Sequence, residues 1–374
     1  MKIAFNMISA THGGGFQTYN KNILKQLFIN SDDNEYCIYT NDKSLHSTND
    51  KINLIFISNF YSKTIPRLLW MQIILPIHIF LTKIDILFSP MNILPIILKL
   101  SKIKKILVIH SNLPWLFPND VPGSRFKLIM QTILTNISIR VADRIVVDSI
   151  TAKNEISRIF RNINNKITTI YLGVDSDVYF ENPDIGDYEN FDIVNEPYFL
   201  TISSAVRYHC LKELIVAYEK LCECRNNIPK YLIISKNLDS KYYNEISEMI
   251  DASSYSEKII LLEDIDSEKI SLLYKNASLY IFSSYCEVFG LTNLEAMQYG
   301  IPVLTSNKSA LPEICGSAAI YFDPHDPNDI KNKIIELYSN NNLKQKMITN
   351  GYRQIKKYSW EKTFEKTLKL INNC

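Results

Sequence analysis

The sequence predicts an α/β fold made of two Rossmann-like, doubly wound domains. Short apolar runs alternate with segments of helical periodicity up to about residue 160, and a second such series begins at Tyr198. Between the two series, residues 176–196 combine acidic residues, Pro183 and Gly186 without periodicity, and Pro197 follows directly, which is typical of a linker. The 374 residues are enough for two domains that each bury a core. Such an alternation favours parallel sheets covered by helices on both faces.

The first series predicts a sheet whose strands are separated by helices and loops. The expected strands are Lys2–Ile8, Tyr36–Tyr39, Ile52–Ile57, Asp85–Phe88, Lys105–Ile109 and Arg144–Val147. Helical spacing is expected over Phe16–Phe28 and near 67–82, 125–141 and 151–159. We therefore predict an N-terminal Rossmann-like domain over residues 1–185.

The second series predicts a C-terminal Rossmann-like domain over residues 186–357. Its expected strands are Tyr198–Ser203, Lys230–Ile234, Lys258–Leu262 and 279–283, and its expected helices are 211–225, 241–251 and 267–275. A last helix begins after Ser359, a good N-cap residue. We assign that helix, residues 358–374, to the N-terminal domain.

Composition and charge set limits on the class of protein. Hydrophobic residues at 46% and charged residues at 21% are ordinary for a soluble globular chain. Residues 1–185 carry 20 Lys/Arg against 14 Asp/Glu, although the whole chain has a net charge of only +2. A basic N-terminal half fits an anionic acceptor or membrane surface, and solvated faces would explain it as well. Aromatic residues are scattered, so no nucleic-acid partner is predicted.

Cysteine usage and hydropathy favour a cytoplasmic protein. The seven cysteines form no Cys-x-x-Cys pair, which predicts reduced thiols. The most apolar stretch, Leu68–Leu81, is shorter than the roughly 20 residues that span a bilayer, so we expect a buried helix. Any membrane contact would be peripheral, through basic amphipathic faces near Arg67–Lys83 and Arg125–Arg140; core packing of these segments is the alternative.

The segment 287–305 carries the clearest functional signal. A strand ending near Phe282 leads into a loop with Glu287, Phe289 and Gly290, and a helix then opens near Leu291. The free N–H groups of a helix start, with the helix dipole, favour a phosphate group. Glu295 lies one turn into that helix, within reach of a ribose hydroxyl. Glu287 would face the group at the other end of a diphosphate, so the arrangement suits a sugar nucleotide.

This segment resembles the Glu-x7-Glu element of the retaining glycosyltransferases of the GT-B type, family four (the group 1 glycosyltransferases). The similarity continues through Ser306–Ile314, Gly316 and Tyr321–Pro324. The resemblance implies the GT-B fold, with an N-terminal acceptor domain and a C-terminal nucleotide-sugar donor domain that face a cleft. It also implies a C-terminal helix that crosses back to the first domain. It also implies that Phe289, Gly290, Leu291 and Thr292 cradle the donor diphosphate.

In the same family an Arg and a Lys near the start of the second domain reach the diphosphate. Arg207 matches the arginine, and its planar fork suits phosphate oxygens. Counting back from Ala217 and Tyr218 places the family lysine on His209. A longer spacing, found in some members, would select Lys212. Both remain open as donor-binding residues.

The first domain is expected to complete the site. In the family, a Gly-rich loop after the first strand lies beside the donor diphosphate, which selects Gly14 and Gly15. A family His-Asp pair follows a later strand, and its histidine contacts the transferred sugar. His110 matches that histidine, whereas Ser111 replaces the aspartate. His110 and Glu287 are therefore the candidate catalytic residues.

No metal or other cofactor is expected. Asp175-Ser176-Asp177 resembles an Asp-x-Asp metal motif, but it lies in the family's Gly-Val-Asp junction loop, and the six histidines show no ligand spacing. The expected donor is a GDP-, UDP- or dTDP-linked sugar. The expected acceptor is a saccharide or lipid-linked saccharide hydroxyl, in bacterial surface polysaccharide synthesis such as O-antigen, lipopolysaccharide or capsule, at the inner face of the cytoplasmic membrane. Two alternatives remain, a sugar-nucleotide epimerase on the same fold and a non-catalytic sugar-nucleotide-binding subunit.

Overall fold

The computed structural model describes residues 1–8, 15–30, 32–174, 196–263, 265 and 267–374. Contacts divide the chain into two compact units. The first comprises Met1–Leu116, Ser124–Gly173 and Trp360–Cys374, and the second comprises Phe117–Gly123 and Val174–Ser359. The expected domain boundary at residues 185 and 186 lies outside the described residues.

The described part of the first unit contains one parallel sheet. Its strands are β1 Lys2–Asn6, β2 Glu35–Thr40, β3 Ile52–Phe56, β4 Ile86–Ser89, β5 Lys104–Ile109, β6 Arg144–Val147 and β7 Ile167–Thr169. Their order across the sheet is β3-β2-β1-β4-β5-β6-β7. The central strands β1, β4 and β5 are apolar and almost fully buried, as expected for a sheet covered on both faces. Strand β7 was not predicted, because its three residues are too few for a periodicity signal.

Helices connect these strands. They are α1 Gly15–Ile29, α2 Thr64–Leu69, α3 Leu75–Leu81, α4 Leu113–Leu116, α5 Arg125–Val141 and α6 Ile150–Ile159. A single π-helical turn, Trp70–Ile74, joins α2 to α3. Helix α6 begins at a conventional cap, since the Ser149 hydroxyl accepts a hydrogen bond from the amide of Ala152 at 3.0 Å.

The second unit has the same architecture in its described residues. Its strands are β8 Tyr198–Ser204, β9 Lys230–Lys236, β10 Ile259–Glu263, β11 Ala277–Phe282, β12 Val303–Ser306 and β13 Ala319–Phe322. Its helices are α7 Leu211–Cys224, α8 Ser240–Asp251, α9 Ser267–Lys275, α10 Leu291–Gln298, α11 Leu311–Cys315, α12 Pro327–Tyr338 and α13 Asn341–Ile355. The strand order, β10-β9-β8-β11-β12-β13, is that of a Rossmann sheet, and all recorded pairings are parallel.

The last helix, α14 Trp360–Asn372, belongs to the first unit. Its Thr363 hydroxyl donates to the carbonyl oxygen of Tyr171 at 2.8 Å, and its Trp360 ring meets Tyr19 of α1 edge to face. Together with the two Rossmann-like sheets, this placement confirms the predicted fold class, including the closing helix that returns to the N-terminal half.

The apolar stretch around α2 and α3 differs from its prediction. Residues Thr64–Leu81 form a continuous 18-residue helical segment, apolar enough by composition to cross a membrane, of which only 33% is buried. The expectation of a buried helix is therefore wrong for most of its surface. Trp70, Met71 and Leu75 pack into the unit, while a row of apolar side chains faces outward.

Candidate functional site

In the second unit, a left-handed glycine opens the helix that carries the predicted phosphate site. Gly290 has φ +85° and caps α10. A Cβ atom placed there would lie 2.5 Å from Cδ2 of Leu311 and 3.2 Å from Nδ2 of Asn293. Both the backbone angle and the crowding require glycine at this position. The turn directs the first amide groups of α10 beyond the carboxyl end of β11, the usual ligand edge of such a sheet.

Buried Asn293 stabilises this turn from inside. Its side-chain amide donates to the carbonyl oxygen of Gly290 at 3.2 Å, and its backbone amide donates to the same oxygen at 3.1 Å. The Asn293 amide is thus satisfied within the protein. The amides of Leu291 and Thr292 precede the first intrahelical hydrogen bond, so they are the groups available to a phosphate.

On the other side of the loop, Ser309 holds the backbone of Glu287. The Ser309 hydroxyl donates to the carbonyl oxygen of Glu287 at 2.6 Å and receives the Glu287 amide at 3.1 Å. Ser309 adopts a left-handed φ of +55°. The Glu287 carboxylate is 20% exposed, so a ligand can still reach it.

Glu295 lies one turn into α10 and receives a hydrogen bond from a buried tyrosine. The Tyr274 hydroxyl donates to Oε2 of Glu295 at 3.0 Å. Burial, and then the charge of Glu295, raise the pKa of Tyr274 well above its ordinary value, so the phenol stays protonated and remains a donor. Tyr274 was not predicted as part of the site. It fixes the orientation of the carboxylate that we expect to reach the ribose.

Phe289 plays a different part from its neighbours. Its ring is 1% exposed and packs edge to face on Tyr358 at 5.5 Å between centroids. The side chain belongs to the core, so at this position only the backbone is available to line a diphosphate site.

Two of the predicted cationic residues converge on one carboxylate. Nη2 of Arg207 lies 3.2 Å from Oε1 of Glu245, and Nζ of Lys212 lies 2.6 Å from its Oε2. Both cations also lie over the ring of Tyr242, at 5.4 and 5.6 Å from its centroid. The hydrogen bond from Lys212 is the main cause that lowers the pKa of Glu245. Glu245 is a residue that sequence reasoning missed, because it lies on α8, far from Arg207 along the chain.

His209 occupies a separate position. Its ring is nearly buried, with Nδ1 2.7 Å from the carbonyl oxygen and 3.1 Å from the amide of Ser204. Its Nε2 lies 3.2 Å from Oε1 of Glu287. His209 therefore orients Glu287, while Arg207 and Lys212 form the cationic pair.

In the first unit, His110 pairs with Asp148, a residue that the sequence analysis did not select. Nδ1 of His110 lies 2.9 Å from Oδ2 of Asp148, which is 1% exposed. The pairing follows from the sheet register, because Ile109 of β5 lies opposite Val147 of β6. His110 and Asp148 are the next residues after these two. The carboxylate beside His110 therefore comes from the residue after β6 and not from position 111.

The remaining contacts of His110 fix its ring. Its backbone amide donates to Oδ1 of Asn92 at 2.9 Å, and the Tyr19 ring lies 4.5 Å away between centroids. Among the described residues, the buried Nε2 has no hydrogen-bond partner. With Nδ1 turned to Asp148, Nε2 is the atom that can meet a substrate.

The two predicted glycines can be placed only in part. Gly15 is the exposed first residue of α1, with no atom within 4 Å of a Cβ built upon it. Gly14 lies outside the described residues, as does the Asp175-Ser176-Asp177 segment.

One cluster in the second unit has donor atoms suited to a metal ion. Cys210, Glu213 and His325 bring a thiol, a carboxylate and an imidazole within 4.8 Å of one another. Cys210 and His325 are 115 positions apart, so no sequence spacing could reveal the cluster. Burial, and then the charge of Glu213, raise the pKa of the Cys210 thiol, which therefore stays protonated. The expectation of no required metal remains a prediction.

Comparison with known families decides the class. Residues 189–354 match the family described as glycosyl transferases group 1, and residues 13–178 match glycosyltransferase family 4. The two matches together cover most of the chain. The protein belongs to the group 1 glycosyltransferases of family four.

Relatives and solved structures agree with this assignment. The chain is 26% identical to the O-antigen chain mannosyltransferase B of Escherichia coli over 58% of its own length and 57% of that protein. It therefore spans little more than half of that relative. Sucrose-phosphate synthase from Thermosynechococcus elongatus superposes with a TM-score of 0.77 at 15% identity, covering 100% of this chain and 98% of that one. Anabaena HepE, solved in complex with UDP-glucose, gives 0.77 at 15% identity, with both chains fully covered. At these identities the structural likeness shows the GT-B fold alone.

Proposed function

We propose that this group 1 glycosyltransferase moves a hexosyl unit from a nucleoside-diphosphate sugar to a hydroxyl of a saccharide or lipid-linked acceptor, with retention of anomeric configuration. In that reaction the bond from the anomeric carbon to the phosphate oxygen breaks. The acceptor oxygen bonds to the same face of the sugar, and its proton passes to the departing phosphate. The products are a nucleoside diphosphate and a glycosylated acceptor.

The observation that carries this proposal is the N-terminal end of α10, around Gly290, Leu291 and Thr292, called here the α10 mouth. Gly290 caps α10 in a left-handed backbone conformation, and the amides of Leu291 and Thr292 are the first of the helix. Glu287 and Glu295 stand on its two sides, each fixed by hydrogen bonds. Amides and a helix dipole suit the diphosphate, while the two carboxylates suit hydroxyl groups of the ribose and the sugar.

Arg207 and Lys212 would supply the positive charge that this diphosphate needs. The two side chains already share one anion, Glu245, at 3.2 and 2.6 Å. Groups that hold a carboxylate in this way are suited to a phosphate in the same position. Of the two residues left open for the family lysine, we therefore assign Lys212 to the phosphate and His209 to Glu287. Without a metal, this pair and the α10 amides would neutralise the leaving group.

His110 is our choice for the residue of the first unit that contacts the transferred sugar. Asp148 fixes the tautomer by accepting from Nδ1, which leaves the buried Nε2 without a partner among described residues. An unpaired buried polar atom is costly unless a ligand completes it. A sugar hydroxyl would supply that hydrogen bond.

The acceptor class rests on the relatives. The relative from Escherichia coli is named as an O-antigen chain mannosyltransferase. We extend that class to this chain and place it in the cytoplasm, peripheral to the inner face of the cytoplasmic membrane. A mannosyl donor, GDP-linked, is the first to test.

Incubation of the protein with a panel of GDP-, UDP- and dTDP-linked sugars tests the proposal. Slow release of nucleoside diphosphate from one donor, accelerated by an acceptor saccharide, is the expected result. Appearance of an epimerised donor without an acceptor would instead identify a sugar-nucleotide epimerase. Donor binding with no turnover under any acceptor would identify a non-catalytic binding subunit.

A further inference from the structure

The segment from α2 to α3 presents an apolar row to the outside of the first unit. Leu69, Ile73 and Ile77 are more than half exposed and recur every four residues, and Leu81 at the end of the row is 76% exposed. The opposite side of the same segment is apolar too, and packs into the unit through residues such as Trp70. A helix that is apolar on both sides needs a second apolar environment.

Hydrogen bonds tie two neighbouring segments to this one. The side-chain amide of Gln72 donates to the carbonyl oxygen of Leu94 at 2.9 Å, and its oxygen accepts from the amide of Ile96 at 2.9 Å. The amide of Leu94 in turn donates to the Ser138 hydroxyl of α5 at 2.9 Å. These bonds join α2–α3, the 3-10 turn Ile96–Leu100 and α5 side by side.

The joined segments also expose large apolar side chains. Leu100 is 89% exposed and Phe126 is 78% exposed. Ile97, Ile129 and Ile133 are each more than half exposed. The exposed apolar residues thus cluster on three adjoining elements instead of being scattered singly, which is unusual for a surface facing only water.

The charge of this region is mostly positive. Residues 57–141 contain ten Lys or Arg and only two acidic residues, Asp85 and Asp120. Six of the basic residues are exposed and lie on or beside the three segments: Lys63, Lys83, Lys99, Lys102, Arg125 and Lys127. None of the six pairs with a carboxylate among the residues that the structure describes.

We propose that these three segments form a face, called here the apolar-basic face, that docks on an anionic lipid bilayer. Exposed isoleucine, leucine and phenylalanine side chains would enter the boundary between head groups and acyl chains. The surrounding lysines would contact lipid phosphates, which is the pattern of interfacial helices. A lipid surface fits better than an apolar protein partner, because that partner would leave the unpaired cations uncompensated.

The segment lies on the membrane instead of crossing it. Its 18 residues span about 27 Å as a helix, close to the ~30 Å hydrocarbon core, so the length alone does not decide between the two. Its inner side chains and the Gln72 hydrogen bonds tie it to the folded unit, so insertion across the bilayer would require unfolding. The proposal deepens the proposed function, since an enzyme held at the bilayer would meet a lipid-linked acceptor. The docking itself requires no activity.

Flotation of the full chain with lipid vesicles, without any nucleotide sugar, tests the face. We expect binding to vesicles of phosphatidylcholine mixed with phosphatidylglycerol, weakened by added salt, and little binding to phosphatidylcholine alone. Replacement of the pair Lys99→Gln and Lys102→Gln should weaken binding by about 30-fold, from about 1 kcal/mol per cation. The triple variant Ile77→Ser, Leu81→Ser, Leu100→Ser should abolish stable binding while circular dichroism stays unchanged.

Matched variants elsewhere keep the test specific. Ile29→Ser with Ile150→Ser removes exposed apolar side chains of α1 and α6, and Lys346→Gln with Lys366→Gln removes two exposed cations of α13 and α14. These controls should bind as the parent chain does. Equal binding of face and control variants would overturn the proposal. So would a self-associated chain in sedimentation velocity that only the face variants dissociate, because the face would then join two copies. Loss of transferase activity alone bears on the proposed function and leaves the docking result intact.

Discussion

At the scale of single residues, three acidic side chains organise the groups that are expected to contact the donor. Asp148 holds His110, Glu287 meets His209, and Glu245 holds Arg207 and Lys212. Only Glu287 was selected from the sequence. Asp148 and Glu245 come from other elements, and a chain scanned residue by residue does not show which strand ends or helix faces become neighbours.

Asp148→Asn should lower turnover about 10- to 100-fold with little change in fold, because an amide holds the His110 tautomer less firmly than a charged acceptor does. Steady-state kinetics with donor and acceptor measure this. Asp143→Asn, at the other end of β6, is the control, since Asp143 pairs with Lys105 away from His110. Unchanged turnover in Asp148→Asn would show that Asp148 does not position His110 for the reaction.

Glu245→Gln should tighten binding of nucleoside diphosphates by roughly tenfold, because it removes an anion that competes with phosphate for Arg207 and Lys212. Isothermal titration calorimetry with GDP and UDP measures the effect. The control Glu248→Gln changes an exposed carboxylate one turn along α8. Weaker binding in Glu245→Gln would show instead that Glu245 positions the two cations for the ligand.

At the scale of elements, the sequence predicted most strands and helices within one or two residues, because apolar periodicity reports burial directly. Helix α5 was predicted to span 125–141, as observed, whereas β7 was missed. The stretch Thr64–Leu81 was predicted as helix but with the wrong environment, since composition alone does not show which apolar side chains find a partner. The helix mouth at Gly290 was predicted from the order strand, glycine, helix.

Gly290→Ala should lower the free energy of unfolding by about 1–3 kcal/mol, because alanine disfavours φ +85° and its Cβ would press on Leu311. Gly15→Ala is the matched control. Its Cβ meets nothing within 4 Å, so the change should be neutral or stabilise by up to about 1 kcal/mol. Urea denaturation followed by circular dichroism compares the two. Equal stability of both variants would contradict the conclusion that position 290 requires glycine.

At the scale of the whole molecule, the two Rossmann-like units carry different charge. The first half is basic and bears the apolar-basic face, while the second unit contains the α10 mouth and its carboxylates. The proposed membrane docking and the proposed nucleotide site are thus assigned to different units. The family and the fold follow from long motifs and alternating elements. The base, the sugar and the linkage depend on loop contacts that motifs do not encode.

A crystal structure of the protein with a bound nucleoside diphosphate tests the central claim most directly. We expect the diphosphate oxygens within hydrogen-bond distance of the Leu291 and Thr292 amides, with Glu295 on the ribose and Arg207 or Lys212 turned from Glu245 to the phosphates. A nucleotide bound in the first unit, or an α10 mouth filled by protein side chains, would contradict it.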